Sequence, residues 1–103
     1  MKRIKTAYFP QLQNITRANI ALNGVVLHTP LQKNLNLSEE FNANILLKRE
    51  DLQTVRSYKI RGAFNKIAQL SNEDLQKGVI CASAGNHAQG VAFSCSKLNI
   101  NGK

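Results

Sequence analysis

The chain reads as an α/β domain built on an open parallel sheet with flanking helices, and two stretches of the sequence carry that reading. The first is Val79-Ile80-Cys81-Ala82, a compact apolar run bounded by Gly78 and by Ser83-Ala84-Gly85-Asn86. It has the form of a buried strand rather than an exposed one. The second is a helical spacing on either side of it: Ile60, Ala63, Phe64 and Ile67 before, and Ala88, Val91, Ala92 and Cys95 after. Helix, strand and helix in that order, following an earlier strand at Ile45-Leu46-Leu47, is the arrangement of a parallel sheet.

Each element has a local cause. Pro10 followed by Leu12, Ile15, Ala18 and Leu22 predicts an amphipathic helix, opened by a proline suited to a first turn and ended by Asn23-Gly24. Val25, Val26 and Leu27 run into His28-Thr29-Pro30, where the proline holds Thr29 extended. Leu35-Asn36-Leu37 alternates as a short strand does, and Ser38-Glu39-Glu40 suits the first turn of a helix after it. Ile45-Leu46-Leu47 predicts a buried strand that emerges at the charged edge Lys48-Arg49-Glu50-Asp51. Ser57 is placed to cap the helix that begins near Lys59. Ser71, with Asp74 three residues on, opens a shorter helix that stops at Lys77-Gly78.

Composition bounds the function. The 103 residues hold one domain at most, and 43% hydrophobic residues supply an ordinary core. Fourteen Lys and Arg against six Asp and Glu give a net charge of +8, which raises nucleic acid or acidic partners for a non-enzymatic basic module. The cations are scattered, however, and only Lys2-Arg3-Ile4-Lys5 approaches a basic run. The expectation is therefore no nucleic-acid partner. Cys81 and Cys95 are too far apart for a CxxC pair and read as small buried hydrophobes, which suits a reducing cytoplasm. No stretch has the length and apolarity of a membrane span or a signal peptide, and no membrane partner is expected. The last residues, Asn99 to Lys103, fall where a further parallel strand is expected, so the chain reads as cut within a larger domain.

Two places can carry chemistry. Lys59 stands at a helix start with Arg56 and Arg61 nearby, surroundings that work against a positive charge, and a lysine must be neutral to attack a carbonyl. Position alone does not displace the ordinary reading, a solvated surface lysine in a basic segment. Ser83-Ala84-Gly85-Asn86-His87 lies between a strand and a helix, where a parallel sheet presents its ligand crevice and free amides can hold an anion. A plain turn built from common turn residues explains the same composition. No metal site is expected, because His87 has only His28 as a histidine partner and no thiolate or carboxylate stands at ligand spacing. Glu50-Asp51 at a strand end reads as solvated or salt-bridged.

Taken together, Ser57-Tyr58-Lys59-Ile60-Arg61-Gly62-Ala63 and Ser83-Ala84-Gly85-Asn86-His87-Ala88-Gln89-Gly90-Val91-Ala92 resemble the paired signatures of the fold-type II pyridoxal-phosphate enzymes. Thr29-Pro30-Leu31 and Leu47-Lys48-Arg49-Glu50-Asp51-Leu52-Gln53 fit the same family in the same order. Within it the chain looks most like the biosynthetic threonine dehydratases, with serine/threonine dehydratases and serine racemase as near neighbours. The resemblance implies that residues 1–103 are the N-terminal portion of a tryptophan synthase beta-like catalytic domain, without a regulatory domain. It further implies a cytoplasmic, homo-oligomeric full-length enzyme whose substrate is a small amino acid, threonine or serine. With threonine the reaction yields 2-oxobutanoate and ammonia, the first step of isoleucine biosynthesis. Lys59 then carries the pyridoxal 5'-phosphate as a Schiff base and removes the α-proton. Asn86 binds the cofactor's phenolic oxygen, and Ser83, Gly85 and His87 receive the substrate carboxylate. The residues that cradle the phosphate are expected beyond residue 103, so the 103-residue piece alone is expected to be inactive. Tyr58 departs from the usual phenylalanine, and its hydroxyl needs a partner if buried.

Overall fold

The computed structural model describes residues 7–103, so the basic run at residues 2–5 lies outside the described residues. The first helix, α1 (Leu12–Leu22), ends as expected at Asn23, with Gly24 in the left-handed region at φ +73°. Gln11 is its N-cap, so Pro10 precedes the helix instead of standing in its first turn. Its apolar stripe faces outward, with Leu12 78% exposed and Leu22 the buried member.

Strand β1 (Leu31–Lys33) pairs antiparallel with β2 (Leu46–Lys48), with Gln32 opposite Leu47. Between them lies α2 (Leu35–Glu40), where the alternation of Leu35-Asn36-Leu37 predicts a strand. The reason is local: Asn34 accepts a hydrogen bond from the Leu37 amide at 2.9 Å and caps a helix ahead of Ser38. A three-residue alternation is too short to compete with a cap. Ser38 instead closes the connection by accepting from the Ile45 amide at 3.0 Å. The β2 leucines remain exposed, against the expectation of a buried strand, because an apolar run is buried only where a second layer lies over it.

The core forms where α3 (Lys59–Ile67) crosses α5 (Asn86–Leu98). Ile60, Ala63, Phe64 and Ile67 of α3 are all buried, and Val91 and Cys95 of α5 pack with Ala63 and Ile67. The four positions follow the helical period read from the sequence, so one face of α3 supplies the apolar surface. Between the two, α4 (Asn72–Lys77) is capped as expected: Ser71 Oγ accepts from the Asp74 amide at 3.1 Å and donates to its carboxylate at 2.9 Å. Gly78 follows at φ +81°, where a β-carbon would stand 2.8 Å from the Asn101 carbonyl oxygen.

The parallel element is present in short form. Val79 pairs with Gly102 in parallel, and the ladder continues through Val79 N to Asn101 O, Lys103 N to Val79 O and Cys81 N to Lys103 O, at 2.8 to 3.0 Å. Helix α5 is thus the crossover of a β-α-β unit. The segment is less buried than an interior strand: Ile80 is 84% exposed, and Cys81 is half-buried rather than buried. Cys95 is buried, and burial pushes its thiol up. Among the described residues no helix is long and apolar enough to cross a membrane.

Candidate active site

Lys59 is the first residue of α3, half-buried, and held from two sides. On one side α5 comes very close. A β-carbon on Gly90 would lie 3.1 Å from both the carbonyl carbon and oxygen of Lys59 and 3.3 Å from the Ala63 β-carbon. Glycine at this position lets the two helix backbones meet at the lysine. The Ser94 hydroxyl donates to the Gly90 carbonyl at 2.7 Å and keeps that turn of α5 closed to water.

On the other side stands a polar network. Glu50, in the 3-10 turn Glu50–Leu52, accepts from Arg61 Nε and Nη2, both at 2.8 Å, in a two-point ion pair. The same carboxylate accepts from Thr29 Oγ1 at 2.6 Å and more weakly from Gln53 Nε2 at 3.3 Å. The Arg61 guanidinium above all, with the Thr29 hydroxyl, lowers the Glu50 carboxyl from 4.5 to about 2 against the opposing effect of burial. Gln53, 0% exposed, accepts from the Leu27 amide at 2.9 Å and donates to the Leu27 carbonyl at 2.8 Å. Lys48 donates to the Thr29 carbonyl. The reading of Glu50 and Asp51 as salt-bridged holds for both: Asp51 pairs with Arg49 at 2.8 Å on the surface.

Sequence reasoning places Arg61 as a charge disfavouring a protonated Lys59. Its guanidinium is instead engaged by Glu50, so it is not an unpaired charge beside the lysine. The network itself is not legible in the sequence, because its bonded partners are separated by up to 26 residues and no spacing rule connects them. A signal is present all the same. Thr29, Glu50, Gln53 and Arg61 each belong to one of the stretches on which the resemblance rests.

Lys59 Nζ lies over the Tyr58 ring, 5.2 Å from its centroid. Tyr58 is 61% exposed, so its hydroxyl faces solvent and needs no buried partner. Ser57 does not occupy the cap position expected of it. Tyr58 does, and Ser57 Oγ accepts only a long bond, 3.4 Å, from the Lys59 amide. Arg56, just before, holds a left-handed φ of +61°, a conformation uncommon for a long side chain.

The second signature is the turn from Ser83 into α5. Gly85 is the N-cap, and no side chain caps the helix, so the first amides of α5 are free to meet an anion. Ser83 Oγ accepts from the Gly85 amide at 3.3 Å and bends the turn. Ser83, Gly85, Asn86 and His87 are all exposed. A groove of ≈ 520 Å³ runs from this turn along α3, lined by Lys59 and His87 with Tyr58, Gly62, Cys81 and Val91 among its walls. Lys59 and His87 therefore share one cavity, whereas Ser83, Gly85 and Asn86 do not line it. Among the described residues no three His, Cys, Asp or Glu side chains are placed to hold a metal.

A helix-start lysine thus opens on a groove beside the glycine turn of a β-α-β unit. The family model for pyridoxal-phosphate dependent enzymes matches residues 22–102, and the chain belongs to that family. It is 60% identical over 93 residues to the biosynthetic L-threonine dehydratases of Bacillus subtilis and of Halalkalibacterium halodurans. Those alignments take in 90% of this chain and 22% of each relative, so the chain spans about a fifth of their length. Among solved structures it superposes on a T.th. threonine deaminase with a TM-score of 0.80 at 36% identity, over 91% of this chain and 33% of that one. Maize serine racemase gives 0.84 at 30% identity, over 92% and 30%. The fold expected from the sequence, a fold-type II α/β domain, is the fold of these neighbours.

Proposed function

We propose that this chain forms the lysine-bearing part of a pyridoxal-phosphate dependent ammonia-lyase that converts L-threonine to 2-oxobutanoate and ammonia. The observation that carries the reading is that Lys59 and His87, from two separate signatures, line one groove, in a chain 60% identical to biosynthetic threonine dehydratases. The residues present fit the cofactor: a half-buried amine at the mouth of the groove suits its aldehyde, and the uncapped start of α5 suits a carboxylate.

In this reading Lys59 holds the cofactor covalently and afterwards takes the proton from the substrate α-carbon. The cofactor, when bound, supplies the electron sink for that carbon. Asn86 donates to the cofactor's phenolic oxygen. Ser83, Gly85 and His87 shape the turn whose amides receive the substrate carboxylate, which orients the α-hydrogen toward Lys59. Ala63 and Val91 give the groove an apolar wall.

Borohydride reduction of the full-length protein loaded with pyridoxal phosphate tests the assignment. A reduced cofactor on the peptide containing Lys59, lost in Lys59→Ala together with ammonia release from threonine, is the expected result. Reduction at another lysine refutes it. Serine turned over in preference to threonine, or racemised without ammonia release, reassigns the substrate while leaving Lys59 in place.

A further inference from the structure

We infer that the Glu50–Arg61 ion pair is a positioning device for Lys59, setting the rotation of the first turn of α3 so that the amine faces the groove. The inference rests on the reading of Lys59 as the cofactor-bearing lysine, and it adds a role for residues outside the groove: neither Glu50 nor Arg61 lines it. Arg61 lies two residues after Lys59 on the same helical turn, so its guanidinium and the lysine side chain leave α3 in widely different directions. A clamp on one therefore fixes the azimuth of the other.

The clamp is anchored well away from the helix. Both carboxylate oxygens of Glu50 engage Arg61 at 2.8 Å, a fork geometry that resists rotation as a single contact does not. Glu50 is held in turn by the Thr29 hydroxyl, and Thr29 is itself buried. Gln53, in the same turn, grips both backbone polar groups of Leu27. Segments around residues 27–29, 48–53 and 59–61 thus converge on one carboxylate. Across the helix α5 packs close to α3 at Gly90, near enough that a β-carbon there would meet the Lys59 carbonyl at 3.1 Å, which limits movement of α3 toward α5. These two constraints together restrict the backbone position of Lys59.

A role confined to stability predicts that loosening the pair lowers the melting temperature and nothing else. A positioning role predicts slower capture of the cofactor by protein that is still folded. The experiment uses the full-length protein stripped of cofactor, at a temperature where circular dichroism shows every variant folded, and follows by absorbance the covalent capture of added pyridoxal phosphate. Glu50→Gln, nearly the same shape, turns an amide N–H₂ toward donors on Arg61 or Gln53 and is expected to slow capture about tenfold or more, the scale of a sub-ångström misplacement. Arg61→Lys keeps the charge without the fork and is expected to slow it less. The double variant Glu50→Gln/Arg61→Gln is expected to be no slower than the worse of its two single variants, since both break one device. Capture by Glu50→Gln at the parental rate, with only a lower melting temperature, overturns the inference. If that variant does not fold, a parental rate in Arg61→Lys overturns it equally. Lys59→Ala, run alongside, separates the two levels: capture that persists there defeats the assignment of Lys59 itself.

Discussion

Replacing Gly90 with alanine sets two well-calibrated effects against each other at the point where α5 touches Lys59. In the interior of a helix, glycine to alanine ordinarily stabilises by about 1 kcal/mol, because the glycine backbone loses more freedom on folding. Here the added carbon would meet Lys59 carbonyl carbon and oxygen at 3.1 Å and the Ala63 β-carbon at 3.3 Å. Comfortable carbon contacts begin near ~3.5 Å. The obstacles are backbone atoms and a β-carbon, none of which can swing aside by a change of rotamer. Helices α3 and α5 must therefore separate by several tenths of an ångström along the interface that contains the buried Ala63, Ile67, Val91 and Cys95. Overpacking of this kind costs about 1–3 kcal/mol. Offset by the helix preference, the expected net effect of Gly90→Ala is a destabilisation of about 0–2 kcal/mol, against the stabilisation of about 1 kcal/mol expected without the clash. Urea denaturation of the full-length protein measures it, with Gly62→Ala as the comparison. Gly62 lies in the interior of α3 with nothing within 4 Å of its added carbon, so it reports the helix preference without the clash. A Gly90→Ala protein stabilised as much as Gly62→Ala refutes the reasoning, since it means that the helices do not meet at Lys59 as described.

Three further outcomes follow from the same contacts. Glu50, lowered from 4.5 to about 2, contributes stability that is complete above its unfolded value and is lost as pH falls from about 4.5 toward 2; the loss is up to about 3 kcal/mol, and acid titration of the unfolding free energy should show it disappear in Glu50→Gln. Gln53→Leu leaves the Leu27 amide and carbonyl without their side-chain partner and is expected to cost about 2–4 kcal/mol by urea denaturation; a cost under about 0.5 kcal/mol would mean that water replaces the glutamine. Ser71→Ala removes the cap of α4 and should cost about 1 kcal/mol, whereas Lys77→Ala, on the exposed pair with Glu73 at 2.8 Å, should cost no more than about 0.5 kcal/mol, so the ratio of the two measures capping against surface charge.

Local signals determined much of this protein from the sequence alone. The buried face of α3, the Ser71 cap of α4, the end of α1 at Asn23-Gly24 and the strand-turn-helix that presents Ser83 to His87 all depend on residues close together in the chain, and helical period and capping act over that range. Lys59 is singled out by its neighbours in the chain. The local rules failed where two short-range signals competed, as when the Asn34 cap overrode the alternation at Leu35 to Leu37, and where burial depended on a layer contributed by distant residues, as at Leu46 and Ile80. Tertiary structure alone decided what holds Lys59 in place. The ion pair from Glu50 to Arg61, the hydrogen bonds of Gln53 to Leu27 and the approach of Gly90 to the lysine backbone join residues 11 to 31 positions apart. A charge or a glycine in a sequence names a capacity, and the partner that uses it is chosen only when the chain has folded back on itself.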